Sequence, residues 1–504
     1  MSVTEEISFN GPKWTSTQYN NVKGEDHLGI KFVSILIADT LQSGVTSITP
    51  RARYWSFFIW VLHDFIQNHS DKSLEQFKKY LKRQEWFYVL ANIADAEERG
   101  KSTNQVMGVT VALKVWNECQ DIVPLRTDYL KNTFGGYSVY RNVMKTIGLI
   151  KESDQQNVQL DLIRKTGKEL AEAFEETIQH TVYYQKYRLS EEEVPKEVLR
   201  EYGKIAGLSR LNSPQAKDQL ILRNLFIPTD PKHISEQLRQ ESLHYYLHIL
   251  KQAKSTSLSR KNWRYYMYEV FSSKGEFQQA IPDKFSRVAK GWEIYQARQY
   301  FTYSLESIWS FVLDLLARRP SSREQLLSRI HDELMEVEIP FDLSVKEVME
   351  QYIPLKFEDR ERYIDEMNSE TMEINKRVWY PILVLLDVYK RLTNREDFND
   401  LHKGFLTLGK RENISFETWF YEAERFNDLS VGELIEKVIV YYILNQHQNV
   451  ALRKLITTRN ETYHFVEDEG KLRFIHSDSP AFNVFRVNQG LSILGDLGFI
   501  SDQE

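Results

Sequence analysis

Tyr137-Ser138-Val139-Tyr140-Arg141-Asn142-Val143-Met144-Lys145-Thr146-Ile147-Gly148-Leu149-Ile150, followed by Val158-Gln159-Leu160-Asp161-Leu162 and Thr166-Gly167, is the stretch on which the reading of this chain turns. A short helix from Tyr137 to Thr146 ends at Gly148, and Leu149-Ile150 begins a strand. A polar turn over 152–157 leads into the alternating run from Val158 to Leu162, the mark of a half-buried strand. A further helix then passes through Leu170, Ala171 and Phe174. Upstream, helical stretches are expected near 103–119 and 125–133, before the break at Gly135-Gly136. Helix, helix, helix, hairpin, helix is the order of a winged helix.

Such a module can place a helix in a DNA groove and a hairpin against the backbone. The expected helix offers Tyr140, Arg141 and Lys145, and the wing flank offers Lys151, Arg164, Lys165 and Lys168. Six basic residues (141, 145, 151, 164, 165, 168) face four acidic ones (152, 154, 161, 169) between 137 and 170, a small positive excess. Affinity for nucleic acid scales with the phosphates neutralised. Two uses of the module therefore stay open, contact with nucleic acid and contact with protein. Arg51 and Arg53 belong to the same question. They follow Thr49-Pro50 in the first turn of an expected helix, where a cation costs about 0.3–1 kcal/mol. A phosphate or an internal carboxylate such as Asp39 would offset that cost.

Working outward, residues 1–25 read as an extended arm, 26–102 as an N-terminal helical domain and 103–190 as the winged-helix-like domain. Residues 191–460 read as a helical domain, with its clearest elements near 289–318, 373–391 and 431–446. Pro381 is expected to kink the second of these. Residues 461–504 read as a hairpin-helix module. Thr462–Val466 and Leu472–Ile475 form its strands around Gly470, and a helix over 483–495 ends in Leu497-Gly498-Phe499-Ile500, which echoes Ile147-Gly148-Leu149-Ile150. The expected fold class is mainly α, a multidomain helical protein with a winged-helix-like module and a short C-terminal β-hairpin. Composition agrees. Of 504 residues only 21 are Gly and 13 Pro, while 27 Tyr, 27 Phe and 10 Trp supply a large core. A net charge of -6 argues against wholesale coating of nucleic acid but leaves room for a local basic patch. Cys119 is the single thiol, so no internal disulfide forms and a cytoplasmic location is expected. No signal peptide is read at the N-terminus, and no apolar run approaches the ~20 residues of a membrane span.

Catalytic patterns are sparse. His244 and His248 share a helix face but lack the glutamate and third ligand of a metalloprotease. His63-Asp64 and His331-Asp332 match the dipeptide of helical metal-dependent phosphohydrolases, and Glu469-Gly470-Lys471 matches a fragment of a nuclease core. Phosphate-loop, dinucleotide and serine-hydrolase signatures are absent. Cys119 reads as a small packed hydrophobe. Over 292–309, Glu293, Arg298 and Glu306 stand among aromatics, either on one solvated face, as a buried polar network, or as the ligand site of a small-ligand sensor. No catalytic residue, cofactor or metal is assigned from these patterns.

Three segments together resemble uncharacterised bacterial antiphage-defence and mobile-element accessory proteins: His27-Leu28-Gly29-Ile30 with Arg51-Ala52-Arg53-Tyr54-Trp55, the helix over 292–309, and the C-terminal hairpin with Leu497-Gly498-Phe499-Ile500. The resemblance implies an accessory or sensor subunit beside ATPases or nucleases, and carries over no functional residue. The expected function is therefore non-enzymatic binding of protein subunits of the same system, and of DNA or RNA, without a membrane. The alternative is a metal-dependent phosphodiesterase or nuclease.

Overall fold

Glycine- and proline-poor sequence folds mainly into helix among the described residues. The computed structural model describes residues 24–103, 106–153, 160–269, 281–337, 339–367, 373–408, 415–483 and 485–500. The fold is mainly helical, with a short C-terminal β-hairpin. Two compact units divide the chain. Most of the expected arm, and residues 154–159, which hold most of the expected turn and the first two residues of the strand expected after it, lie outside the described residues. No helix among the described residues is long and apolar enough to cross a membrane.

One unit comprises Ser34–Gln296, Asn399–Leu408 and Asn483–Glu504. Its elements begin with α1 (Lys31–Leu41), α2 (Arg53–Asn68), α3 (Leu74–Glu98), α4 (Val109–Glu118), α5 (Tyr137–Thr146), α6 (Lys165–Ile178) and α7 (Lys196–Ala206). Every residue of α2 from Arg53 to Phe65 is buried. Such a helix is a core element rather than an amphipathic wall. It packs against α3, α5 and α6, while α3 packs against α4 and α7. Aromatic contacts hold this core. Phe57 stacks on Tyr88 with ring centroids 4.0 Å apart, and Trp55 meets Tyr140 edge to face at 4.9 Å.

Strand β1 (Ile122–Val123) pairs antiparallel with β4 (Val194–Pro195), and β2 (Ile150–Lys151) pairs with β3 (Leu162–Ile163). Thus α5, the β2–β3 pair and α6 follow one another in the expected order. The helix expected near 125–133 does not form. Its polar side chains hydrogen-bond locally instead: Arg126 pairs with Asp128, and the Asn132 side chain accepts the Phe134 amide at 3.0 Å and donates to Ser138 at 2.7 Å. Such bonds compete with the helical ladder. Of the expected second strand, Val158 and Gln159 lie outside the described residues, and the described pairing covers Leu162 and Ile163; Asp161 turns inward, accepting from Tyr137 Oη at 2.7 Å and from Arg141.

The other unit comprises Met1–Val33, Ala297–Phe398 and Gly409–Phe482. Its C-terminal hairpin pairs β5 (Phe465–Asp468) with β6 (Lys471–Phe474). Glu469 and Gly470 both have positive φ, 50° and 70°, so the turn is a tighter two-residue one than the sequence suggested. Pro381 produces a change of winding: Asn375–Trp379 is a π-helical turn leading into the α-helix Tyr380–Thr393. Proline offers no amide, and the ladder shifts register before it. A second π-helical stretch, Val438–Asn445, runs directly into the helix Gln446–Thr458.

Candidate functional site

The residues singled out by sequence divide sharply by burial. Tyr140 is 1% exposed and belongs to the aromatic core around Trp55. Arg141 grips Asp161 with two bonds, at 2.6 and 2.7 Å, and reaches Glu152 at 3.4 Å. Lys145 donates to the same Glu152 at 2.7 Å. The flank behaves differently. Lys151, Arg164, Lys165 and Lys168 are exposed. Lys165 and Lys168 make only loose pairs one helical turn along, with Glu169 at 3.9 Å and Glu172 at 3.5 Å. Exposed pairs of this kind contribute little.

The two arginines after Pro50 have internal partners. Arg51 donates to both oxygens of Asp496 at about 3 Å. Asp496 also accepts the Ala52 amide at 2.8 Å, so its carboxylate caps α2, which has no capping side chain of its own. Arg53 is fully buried. It faces Asp218 and donates to the carbonyls of Ile205 and Gly207 at 2.8 and 2.9 Å. Asp39 pairs with Arg486 instead. The cost of two cations at the start of a helix is thus offset by carboxylates distant in sequence.

The candidate catalytic residues are engaged elsewhere. Asp64 is buried against Tyr80 and Arg188, and accepts from Asn68 at 2.9 Å. Glu469 sits exposed in the hairpin turn, 3.7 Å from Arg473. His331 is exposed and packs its ring against Phe341. Burial lowers the pKa of both His244 and His248. In the helix Ser286–Arg318, Glu293 lies 3.1 Å from His402 with both side chains fully buried. Glu306 accepts from Lys31 at 2.6 Å. Glu293 and Glu306 are therefore buried and partnered rather than on a solvated face.

One convergence of side chains was not anticipated from sequence. His27, His464 and Asp478 each offer a ligand atom, and these atoms lie within 4.8 Å of one another. His27 and His464 are 7% and 2% exposed, with ring centroids 3.8 Å apart. His27 Nε2 is 3.9 Å from Asp478 Oδ2. The Nδ1 atoms of both histidines are buried without a hydrogen-bond partner among the described residues. An unsatisfied buried polar atom costs about 1–3 kcal/mol.

Local structure explains how these residues meet. The Asp26 carboxylate accepts the amides of Ile30, Lys31 and Phe32, ending the segment that carries His27 and starting a helix. The helix Gln446–Thr458 holds that segment: Gln446 donates to the Leu28 carbonyl at 2.8 Å and Lys454 to that of Asp26 at 2.9 Å. His447 is the strut. Its Nε2 accepts the His464 amide at 3.0 Å, which leaves the proton on Nδ1, 3.3 Å from the His27 carbonyl. Asp478 is oriented by the Trp309 indole at 3.2 Å and by the Ser479 amide at 2.9 Å. Burial lowers His27 to about 4 and His447 to about 3, and also lowers His464; neighbouring imidazoles add to the effect for all three, while Asp478 opposes it for His27 and His464. These shifts favour the neutral imidazole, the form that coordinates metals.

Sequence spacing could not reveal this group, because its members come from opposite ends of the chain with no shared motif. The available signal was weak: His27 opens a conspicuous His-Leu-Gly-Ile segment and His464 stands beside the first strand of the hairpin. No protein-family model matches the chain, and no curated protein or solved structure matches it.

Proposed function

We propose that this chain is a non-enzymatic accessory subunit of a bacterial defence or DNA-processing system. It acts through a winged-helix-like module at 103–190, binding protein subunits of that system and touching DNA or RNA with the module's basic flank. The system itself rests on the resemblance described above. The observation that carries the binding reading is the exposed run Arg164, Lys165 and Lys168, where β3 enters α6. The start of a helix carries partial positive charge, and the three side chains add to it without a tight internal partner. Tyr140 and Arg53, by contrast, are engaged in the core, so the contact surface shifts from the expected recognition helix to the flank.

Fluorescence anisotropy with single- and double-stranded DNA and RNA at low salt tests this. Wild type binds with a salt-dependent affinity, and the charge reversal Arg164→Glu, Lys165→Glu, Lys168→Glu loses that binding with unchanged melting. Equal binding by the triple variant sinks the flank as the contact surface.

A second reading, metal-dependent phosphodiester hydrolysis, is favoured by the meeting of His27, His464 and Asp478. Hydrolysis of bis(p-nitrophenyl) phosphate with added zinc or manganese, lost in His464→Ala, would support it. No turnover with either metal would count against it.

A further inference from the structure

We propose that His27, His464 and Asp478 bind one divalent first-row transition-metal ion, of which zinc is the natural probe. The inference rests on neither functional reading above. Two imidazole nitrogens and one carboxylate oxygen are a donor set suited to such ions, and leave further coordination positions for water or another ligand.

Three observations carry it. The first is the convergence itself, within 4.8 Å, of three side chains that sequence holds far apart. Zinc bonds of ~2.0–2.2 Å set ligand atoms about 3.3 Å apart in a tetrahedron, so small side-chain rotations close the site. The second is the pair of buried Nδ1 atoms, on His27 and His464, that no group among the described residues satisfies. A folded protein rarely leaves two buried imidazoles 3.8 Å apart, tilted at 54°, with orphaned nitrogens unless something else engages them. The third is the supporting shell. Metal-binding sites are built with outer partners that orient their ligands. Here the Trp309 indole holds Asp478, and His447 ties the backbone of His27 to that of His464. His447 in turn lies two residues after the π-helical stretch Val438–Asn445, a distortion that recurs at functional sites.

Bound metal would clamp the segment after Gly24 to the two segments that flank the C-terminal hairpin. The ion would then contribute to folding free energy as well as to any chemistry.

The test uses the full chain carrying an affinity tag free of histidine. Elemental analysis after zinc loading and dialysis, cobalt substitution followed by visible absorption, and zinc competition titration are compared across variants. About one zinc per chain is expected, with ligand-field bands for the cobalt form. His27→Gln and Asp478→Asn should each weaken zinc affinity by about tenfold or more. His244→Ala, altering a histidine outside the group, should not. Where His27→Gln fails to fold by circular dichroism, the nearly isosteric Asp478→Asn decides. A wild-type chain holding no zinc, or Asp478→Asn binding it like wild type, overturns the proposal.

Discussion

His447 donates from Nδ1 to the backbone carbonyl of His27 across 3.3 Å, and its other ring nitrogen accepts the amide of His464. One side chain thereby satisfies two buried backbone groups from opposite ends of the sequence. Replacing it with phenylalanine keeps the bulk against Trp309 and removes both bonds. Each orphaned group costs about 1–3 kcal/mol. His447→Phe should therefore lower stability by about 2–5 kcal/mol in urea denaturation. It should also weaken zinc binding although His447 is not itself a ligand. Full stability in this variant would show that water replaces the strut.

A second prediction concerns Arg51 and Asp496. Their ion pair is largely buried, and the carboxylate also caps α2. Removing one member of a buried pair leaves an uncompensated charge, at a cost of about 3–5 kcal/mol. Asp496→Ala should fall in that range. The double variant Arg51→Met, Asp496→Ala should recover much of the loss, because the stranded cation is gone. A double-mutant cycle on unfolding free energies checks this, and additive costs would refute coupling.

Glu85 makes stability depend on pH. Burial pushes its carboxyl from 4.5 up to about 7, although the Gly136 amide donates to it at 2.7 Å. Between those values the folded chain holds a proton that the unfolded chain has released. Stability from this group is therefore fully present below about pH 4.5 and is lost as pH rises through about 7. The loss amounts to about 3 kcal/mol, because each tenfold difference in proton affinity is worth about 1.4 kcal/mol. Glu85→Gln cannot ionise. Across that pH range its stability should fall less steeply than wild type, as followed by urea midpoints at successive pH values. Parallel curves for the two proteins would disprove the assignment.

Periodicity and breakers made much of the fold legible. Tyr137–Thr146 forms the helix expected, and the hairpin around Gly470 is present, because both depend on local chemistry. The segment 125–133 misled because Asp128 and Asn132 satisfy local groups through their own side chains, which no periodicity records. The partners of Arg51 and Arg53 were legible only as a requirement. Charge at a helix start required an anion, external or internal, and the ones present, Asp496 and Asp218, are tertiary neighbours. The cluster of His27, His464 and Asp478 was barely legible: its members share neither a helix face nor a motif spacing, and only packing brings them together.

The echo between Ile147-Gly148-Leu149-Ile150 and Leu497-Gly498-Phe499-Ile500 turns out to be a helix terminator used twice. The Leu149 amide reaches the Met144 carbonyl and that of Gly148 reaches Lys145, while Phe499 and Gly498 make the same two bonds to Leu494 and Gly495. This is the Schellman arrangement, with glycine at φ 81° and 77° where a side chain is strained. The two glycines differ in surroundings. A Cβ on Gly148 would meet nothing within 4 Å, whereas one on Gly498 would lie 2.8 Å from the Asn212 side chain and 3.1 Å from Arg223. Gly148→Ala should therefore cost only the left-handed backbone penalty, about 1–2 kcal/mol. Gly148→Asn should cost less, since asparagine tolerates that conformation. Gly498→Ala adds a collision to the same penalty and should exceed Gly148→Ala in urea denaturation. Equal losses at the two positions would mean that Asn212 and Arg223 yield freely, and that backbone conformation alone sets the cost of ending both helices.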